Sequence, residues 1–228
     1  MTMELKIIYQ DEYLVVVNKP EGLPIHMTQG MPHDADYLTK VLGKLLDCSV
    51  YNVHRLDAKT SGIVLLALKP EIAHDLTLLF EQKKITKTYH AIVRENPGSG
   101  TFNNKVKNQG KHGSKNAVTH YNTIKTVSTN ISYKEFENIS LSLVEAIPET
   151  GRWHQIRQDF AQARFDIIGD NNHGDRMLNK IIAEKTGIGR LLLHASSLSF
   201  EHPITKEVRT YTSELPLYFN QLLNSELI

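Results

Sequence analysis

The sequence predicts an α+β protein with a mixed, largely antiparallel central sheet and flanking helices. Two observations lead there. Short runs rich in β-branched, aromatic and aliphatic residues recur along the chain, bounded by Gly, Pro, Asn and Asp. Segments of helical period lie between some of them, but few strictly alternating strand–helix units occur, which argues against an all-parallel sheet.

The elements follow in order. "LKIIYQDEYLVVVNKP" reads as two strands around an acidic turn at Gln10–Glu12, with Pro20 closing the second. In "ADYLTKVLGKLL", Leu38, Val41, Leu42 and Leu45 share one helix face. "GIVLLALKP" is continuously apolar and reads as a buried strand. Pro70 then suits the first turn of a helix over "EIAHDLTLLFEQKK", and "ITKTYHAIV" follows as a strand. From Glu95 to Asn116 the chain is rich in Gly, Asn, Ser and Lys and reads as a surface excursion. It carries Lys105, Lys107, Lys111, His112 and Lys115. Strands are expected at "AVTHYNTI", "ISYKEF" and "ISLSLVEAI". Helices are expected over "TGRWHQIRQDFAQARF" and over "DRMLNKIIAEKTG", the latter ending at Gly187. "RLLLHASSLSF" and "EVRTYTS" form a hairpin across "EHPITK", and "LPLYFNQLLNSEL" is a terminal helix. No composition break is long enough for a linker and no internal repeat is visible, so residues 1–228 are expected to form a single domain.

Composition sets further bounds. At 228 residues and 40% hydrophobic content, the chain can bury a substantial core. Its lone cysteine, Cys48, excludes an intramolecular disulfide and fits a reducing, cytoplasmic setting. No run approaches the roughly 20 apolar residues of a membrane span, and the acidic turn near the N-terminus interrupts any signal-peptide pattern. A net charge of +1 neither demands nor excludes a nucleic-acid partner.

Phosphate-cradling glycine loops, the G-x-S-x-G elbow and H-E-x-x-H are absent, and one cysteine cannot build a structural zinc site. Neither a cofactor nor a metal is expected. Attention turns to "NVHRLDAKTSG", which sets Asp57 between Arg55 and Lys59, just before the apolar "IVLLAL". A carboxylate at the edge of a buried strand is costly to desolvate without a partner. It is either a turn residue capping "KTSG" or an ionised nucleophile or base kept charged by a cation from elsewhere in the fold. Periodicity does not choose between them. The second basic cluster, "GRWHQIRQ", offers Arg152 and Arg157 as such cations.

"HRLDAKTSG" (His54–Gly62) resembles the signature of the RluA-type pseudouridine synthases. Further blocks fall in the order of that family: "VNKPEGL" (Val17–Leu23), "KTYHAIV" (Lys87–Val93), "GRWHQIR" (Gly151–Arg157) with "IIGD" behind it, and "LLLHASSLSFEHP" (Leu191–Pro203). The resemblance implies the pseudouridine synthase catalytic fold with a central RNA-binding cleft, and isomerisation of a uridine in structured RNA. It implies Asp57 as the catalytic aspartate, Tyr89 packing on the uracil, and Arg157 pairing with the aspartate. It implies that Arg55 displaces the target base or fills its space. His54, Arg152 and Leu193 are the remaining expected substrate-side residues, with Leu193 shaping the pocket wall. His54 and His154 read as structural hydrogen-bonders rather than acid–base groups.

The expected partner is RNA, with tRNA favoured and ribosomal RNA the alternative. A monomer without a separate N-terminal RNA-binding module and without membrane association is expected. Three features depart from the family pattern: Ala58 stands where an arginine is common, "RQDFAQARFD" replaces a more basic stretch, and Trp153 is unusual. Asp57 could attack the sugar, attack the ring or remove a proton from C2′, and all three routes stay open. Rival readings are a non-catalytic RNA-binding or RNA-folding protein and a glycosidic hydrolase. The hydrolase would need a second catalytic carboxyl; the one acid elsewhere in these blocks with such a claim, Asp170, sits in a structural-looking context.

Overall fold

The computed structural model describes residues 5–28, 30–110, 113–135 and 137–224. In chain order its elements are β1 (Lys6–Gln10), β2 (Leu14–Lys19), α1 (Leu38–Leu46), β3 (Tyr51–Asn52), β4 (Ser61–Ala67), α2 (Pro70–Glu81), β5 (Thr86–Arg94), β6 (Ser99–Lys107), β7 (Ser114–Ser128), β8 (Ser140–Pro148), α3 (Gln155–Gln162), α4 (Arg176–Thr186), β9 (Leu193–Glu201), β10 (Val208–Thr212) and α5 (Leu217–Leu223). The class is α+β, and the strand pairs whose registers are described run antiparallel. The chain forms two compact units, one of residues 1–87 with 195–213, the other of residues 88–194 with 214–228.

In the first unit, β2 lies between β1 and β4, and β9 carries β10 as the expected hairpin. The acidic turn is closed by Asp11, whose carboxylate accepts the N–H groups of Tyr13 and Leu14. Every residue of β4 is buried, as its unbroken apolar run requires. Its Ile63, Leu65 and Ala67 pack with Leu14 and Val16 of β2, Ile72 and Leu76 of α2, and Leu198 and Phe200 of β9. Pro70 opens α2, where its missing N–H costs nothing.

In the second unit, the strand order is β5-β8-β7-β6. One apolar cluster joins Ile92, Leu141, Leu178, Ile182, Phe219 and Leu222. Another gathers Ala91, Val93, Phe102, Val144, Ile156, Phe160 and Leu193. α4 begins on Asp175, which accepts from the N–H groups of Met177 and Leu178, and ends at Gly187 in the left-handed region.

Three expectations are corrected. The surface excursion from Glu95 to Asn116 lacks the irregular backbone its composition suggests, because most of it forms β6 and the start of β7, paired from Ser99↔Asn122 to Lys107↔Ser114. Phe102 and Val106, four residues apart and so on one strand face, are buried, and Phe102 packs edge-on to Phe160 of α3 at 5.0 Å. Of "ISYKEF", the described residues 131–135 form no extended strand: Ile131 and Tyr133 turn into the core and Lys134 takes a left-handed conformation, while Phe136 lies outside the described residues. The helix expected from Thr150 starts only at Gln155, because His154 adopts φ 50°, ψ 31° as its N-cap.

Candidate active site

In the first unit, the segment His54–Gly62 is a loop anchored by buried Val53 and Leu56, with Arg55 and Lys59 exposed and Asp57 half-buried. The Thr60 N–H donates to the Asp57 carbonyl at 3.0 Å, closing a turn that delivers the chain into β4. Gly62 holds φ +112°, and a Cβ there would lie 2.2 Å from the Ala195 carbonyl oxygen. Only glycine lets β4 start this close to β9. Asp57 is thereby held five residues ahead of a fixed point.

A second restraint comes from Lys19, which the sequence alone did not single out. Lys19 is fully buried at the end of β2, opposite Gly62 in register. Its ammonium donates to the carbonyls of Pro20 at 2.9 Å, Leu23 at 2.9 Å and Ala58 at 3.0 Å. The Ala58 carbonyl also accepts the Gly22 N–H at 2.7 Å. One buried cation thus ties the loop of Pro20–Leu23 to the turn of Asp57–Thr60. Burial pulls the Lys19 pKa down to about 8, against the opposing pull of the Asp57 and Glu21 charges.

His54 behaves as the structural reading expects. Its Nε2 accepts the Leu65 N–H at 3.0 Å and its ring stacks on Phe80 at 4.7 Å. Burial, with the nearby Lys87 charge, drives its pKa down to about 3, so the imidazole is neutral at ordinary pH. Lys87 itself is lowered to about 8 by burial.

In the second unit, Tyr89 sits on β5 opposite Ala146 of β8 and packs against the cluster that contains Leu193. Leu193 is a buried member of that core. Arg157 projects from α3 between Ile156 and Phe160 in sequence and is only 3% exposed. Its Nε donates to Asp170 Oδ2 at 2.7 Å and its Nη2 to Asp170 Oδ1 at 2.8 Å, a bidentate buried pair. Burial alone would raise the Asp170 carboxyl, but the Arg157 bonds and charge and the N–H groups of Asn172 and His173 outweigh it and hold the pKa below its ordinary value. Asp170 is therefore the structural acid its context suggests. Gly169 makes the turn possible, since a Cβ there would fall 1.7 Å from the Arg190 carbonyl oxygen.

Arg152 is exposed and its Nε donates to the Asn116 carbonyl at 3.3 Å, at the root of the Lys-bearing hairpin. Lys105, Lys107 and Lys115 are exposed on that hairpin, while Lys111 and His112 lie outside the described residues. The hairpin is pinned to α3: Gln158 accepts the Lys107 N–H at 2.9 Å, and Asp159 accepts from Thr119 at 2.8 Å. The stretch "RQDFAQ" is polar because it partners strand backbone, a role invisible to hydrophobic periodicity.

So His54, Arg55 and Asp57 share one loop of the first unit, and Tyr89, Arg157 and Leu193 belong to the second. The first unit presents Asp57 on a turn whose main chain is tethered at Ala58 and Gly62; the second presents an aromatic ring at the edge of an apolar cluster and a buried guanidinium. Among the described residues no cluster of His, Cys, Asp or Glu is arranged to hold a metal ion, and no helix is long and apolar enough to cross a membrane.

Comparison with known proteins places these residues in context. Residues 13–162 match the profile of the RNA pseudouridylate synthase family. The chain is 39% identical to tRNA pseudouridine synthase C of Yersinia pestis, covering 92% of this chain and 86% of the relative. It is 36% identical to tRNA pseudouridine synthase C of Haemophilus influenzae, covering 96% and 97%. Among solved structures it resembles human RNA pseudouridylate synthase domain containing 4, with a TM-score of 0.72, 27% identity, and coverage of 96% of this chain and 92% of that one.

Proposed function

This chain belongs to the RNA pseudouridylate synthase family, and we propose that it converts a uridine of tRNA to pseudouridine with Asp57 as the catalytic carboxylate. The observation that carries this reading is the double restraint on the Asp57 turn, by the Lys19 ammonium on one side and the Gly62 start of β4 on the other. A main chain tethered on both sides of Asp57 supports the reading, because the carboxylate then starts from a preorganised backbone.

The reaction breaks the C1′–N1 bond, turns the uracil and joins C1′ to C5, so N1 gains a hydrogen and C5 loses one. No oxidation state changes overall, and the residues need to supply only a nucleophile or base, a place for the freed ring and charge stabilisation. In this reading Tyr89 packs on the uracil and Arg157 is the guanidinium that the family resemblance assigns to Asp57. Arg55, exposed on the same loop as Asp57, fills the space the flipped base leaves. Extruding a base costs a few kcal/mol, which stacking and edge contacts offset. In the same reading the exposed Arg152 and the exposed lysines of the β6–β7 hairpin meet RNA phosphates. The names of the relatives support tRNA as the substrate.

The test is to map pseudouridines in total RNA from cells lacking this protein, then restore either the wild-type chain or Asp57→Asn. A tRNA site that disappears, returns with the wild type and does not return with Asp57→Asn is the expected result. A site missing only from ribosomal RNA would overturn the tRNA assignment. Restoration by Asp57→Asn would overturn the catalytic role.

A further inference from the structure

We propose that Trp153 is a stacking shelf for an unpaired nucleobase of the RNA other than the reacting uridine, so that it sets RNA affinity rather than chemistry. The inference rests on the reading of the chain as an RNA-modifying enzyme. Trp153 is the single tryptophan of the sequence and lies, half-buried, in the turn between β8 and α3. Its aromatic neighbours among the described residues are two imidazoles. His154 stacks on it at 3.9 Å between centroids and 20° between planes, and His173 meets it edge-on at 5.8 Å and 71°.

The support behind the indole is rigid. His154 Nδ1 and His173 Nε2 are hydrogen-bonded at 2.8 Å, with the two rings perpendicular. The His173 N–H is held by Asp170 at 3.1 Å, and Asp170 by Arg157. His154 keeps the left-handed backbone of an N-cap, and its carbonyl accepts the Gln158 N–H at 2.9 Å. The Trp153 carbonyl accepts the Gln158 side-chain amide at 2.8 Å, and the same side chain accepts the Lys107 N–H. An aromatic ring fixed by its neighbours while still partly open to solvent loses little freedom when a base stacks on it.

The surroundings select the ligand. Arg152 precedes Trp153 and is exposed, and Lys105 and Lys107, also exposed, run along the strand to which Gln158 ties the Trp153 turn. Cations beside a held indole suit a chain of phosphates carrying flat bases, which is single-stranded RNA. An acidic peptide would use the cations and leave the indole without a role.

The sole tryptophan makes the test direct. Unfractionated tRNA is titrated into the wild-type chain while indole emission is followed, and binding is read independently from the anisotropy of labelled tRNA. The expected result is quenching that saturates with binding. Trp153→Leu, which keeps apolar volume and loses the π-face, should raise KM for tRNA about 5- to 50-fold while kcat stays within about twofold. Trp153→Phe should raise KM less. Thermal unfolding of both variants checks the fold, and the wild-type titration stands even if Trp153→Leu unfolds. Unchanged emission at full tRNA occupancy, or an unchanged KM in a folded Trp153→Leu, would overturn the proposal. Quenching without any pseudouridine formed by the wild type would leave the shelf in place and remove the enzymatic reading instead.

Discussion

Lys19 and Arg157 are two buried cations, one in each unit, and they are stabilised in opposite ways. Arg157 donates to a carboxylate in a bidentate pair with Asp170. Lys19 donates to three main-chain carbonyls. An ion pair of this geometry organises its surroundings, the Asp170–His173 turn included, while Asp170 offsets much of the guanidinium charge. Carbonyl dipoles leave the full positive charge of the ammonium beside the Asp57 turn, while burial lowers its pKa. The first arrangement is built for rigidity. The second couples rigidity to charge, which suits the role proposed for Asp57.

The largest expected effect tests the ion pair. Arg157→Met leaves Asp170 buried without its partner and should cost about 3–5 kcal/mol of stability, measured by urea unfolding. Adding Asp170→Leu to that variant should recover much of the loss, as removing the stranded charge restores a neutral interior. Failure to recover would mean that the N–H groups of Asn172 and His173, not the guanidinium, are what Asp170 chiefly serves.

Next comes Lys19→Met, which strands buried carbonyls without introducing an unpaired charge, at about 1–3 kcal/mol. Its effect on pseudouridine formation should exceed tenfold even at temperatures where the variant is fully folded, because the Asp57 turn loses its tether. A loss of activity no greater than that of an equally destabilised core variant at Ile72 of α2 would reduce Lys19 to a packing residue.

The smallest effect is the sharpest discriminator, because it separates activity from stability. The folded pKa of Lys19, about 8, lies below the 10.5 of a free lysine. Between those values the unfolded chain binds more protons than the folded one, so this group makes the fold more stable, not less, as pH rises. Activity should fall across the same window as the ammonium loses a donor proton. Lys87, also near 8, is distinguished by Lys87→Gln, in which the alkaline fall of activity should persist. Asp170 gives the opposite limb: its carboxyl is held below 3.8, so its contribution is complete above that pH and is lost as pH falls through the folded value.

Much of the fold was legible where side chains bury by periodicity. β4 announced itself as an unbroken apolar run, α4 by its Asp and Gly ends, and the β9–β10 hairpin by its turn. β6 was not legible, because "FNNKVK" hides two buried residues among polar ones and its edge is satisfied by Gln158 and Gln162 of a helix far along the chain. Asp57 drew attention through its cost at the edge of a buried strand, but local sequence left a turn cap and a reactive carboxylate both open, and its catalytic expectation came from the family resemblance. Lys19 was missed because a lysine ending a strand ordinarily reaches solvent, and nothing local reveals three carbonyls converging on it. The signal available was its place in "VNKPEGL", where proline and glycine force the chain to turn back over the strand end.

The central claim, that Asp57 is the group that reacts, is tested most directly by following the hydrogen that the chemistry must expel. With tRNA tritiated at C5 of its uridines, joining C1′ to C5 releases tritium to water. The wild-type chain should release it, and Asp57→Asn, folded and still binding tRNA, should release none above background. Tritium release by Asp57→Asn at a rate near that of the wild type would contradict the account.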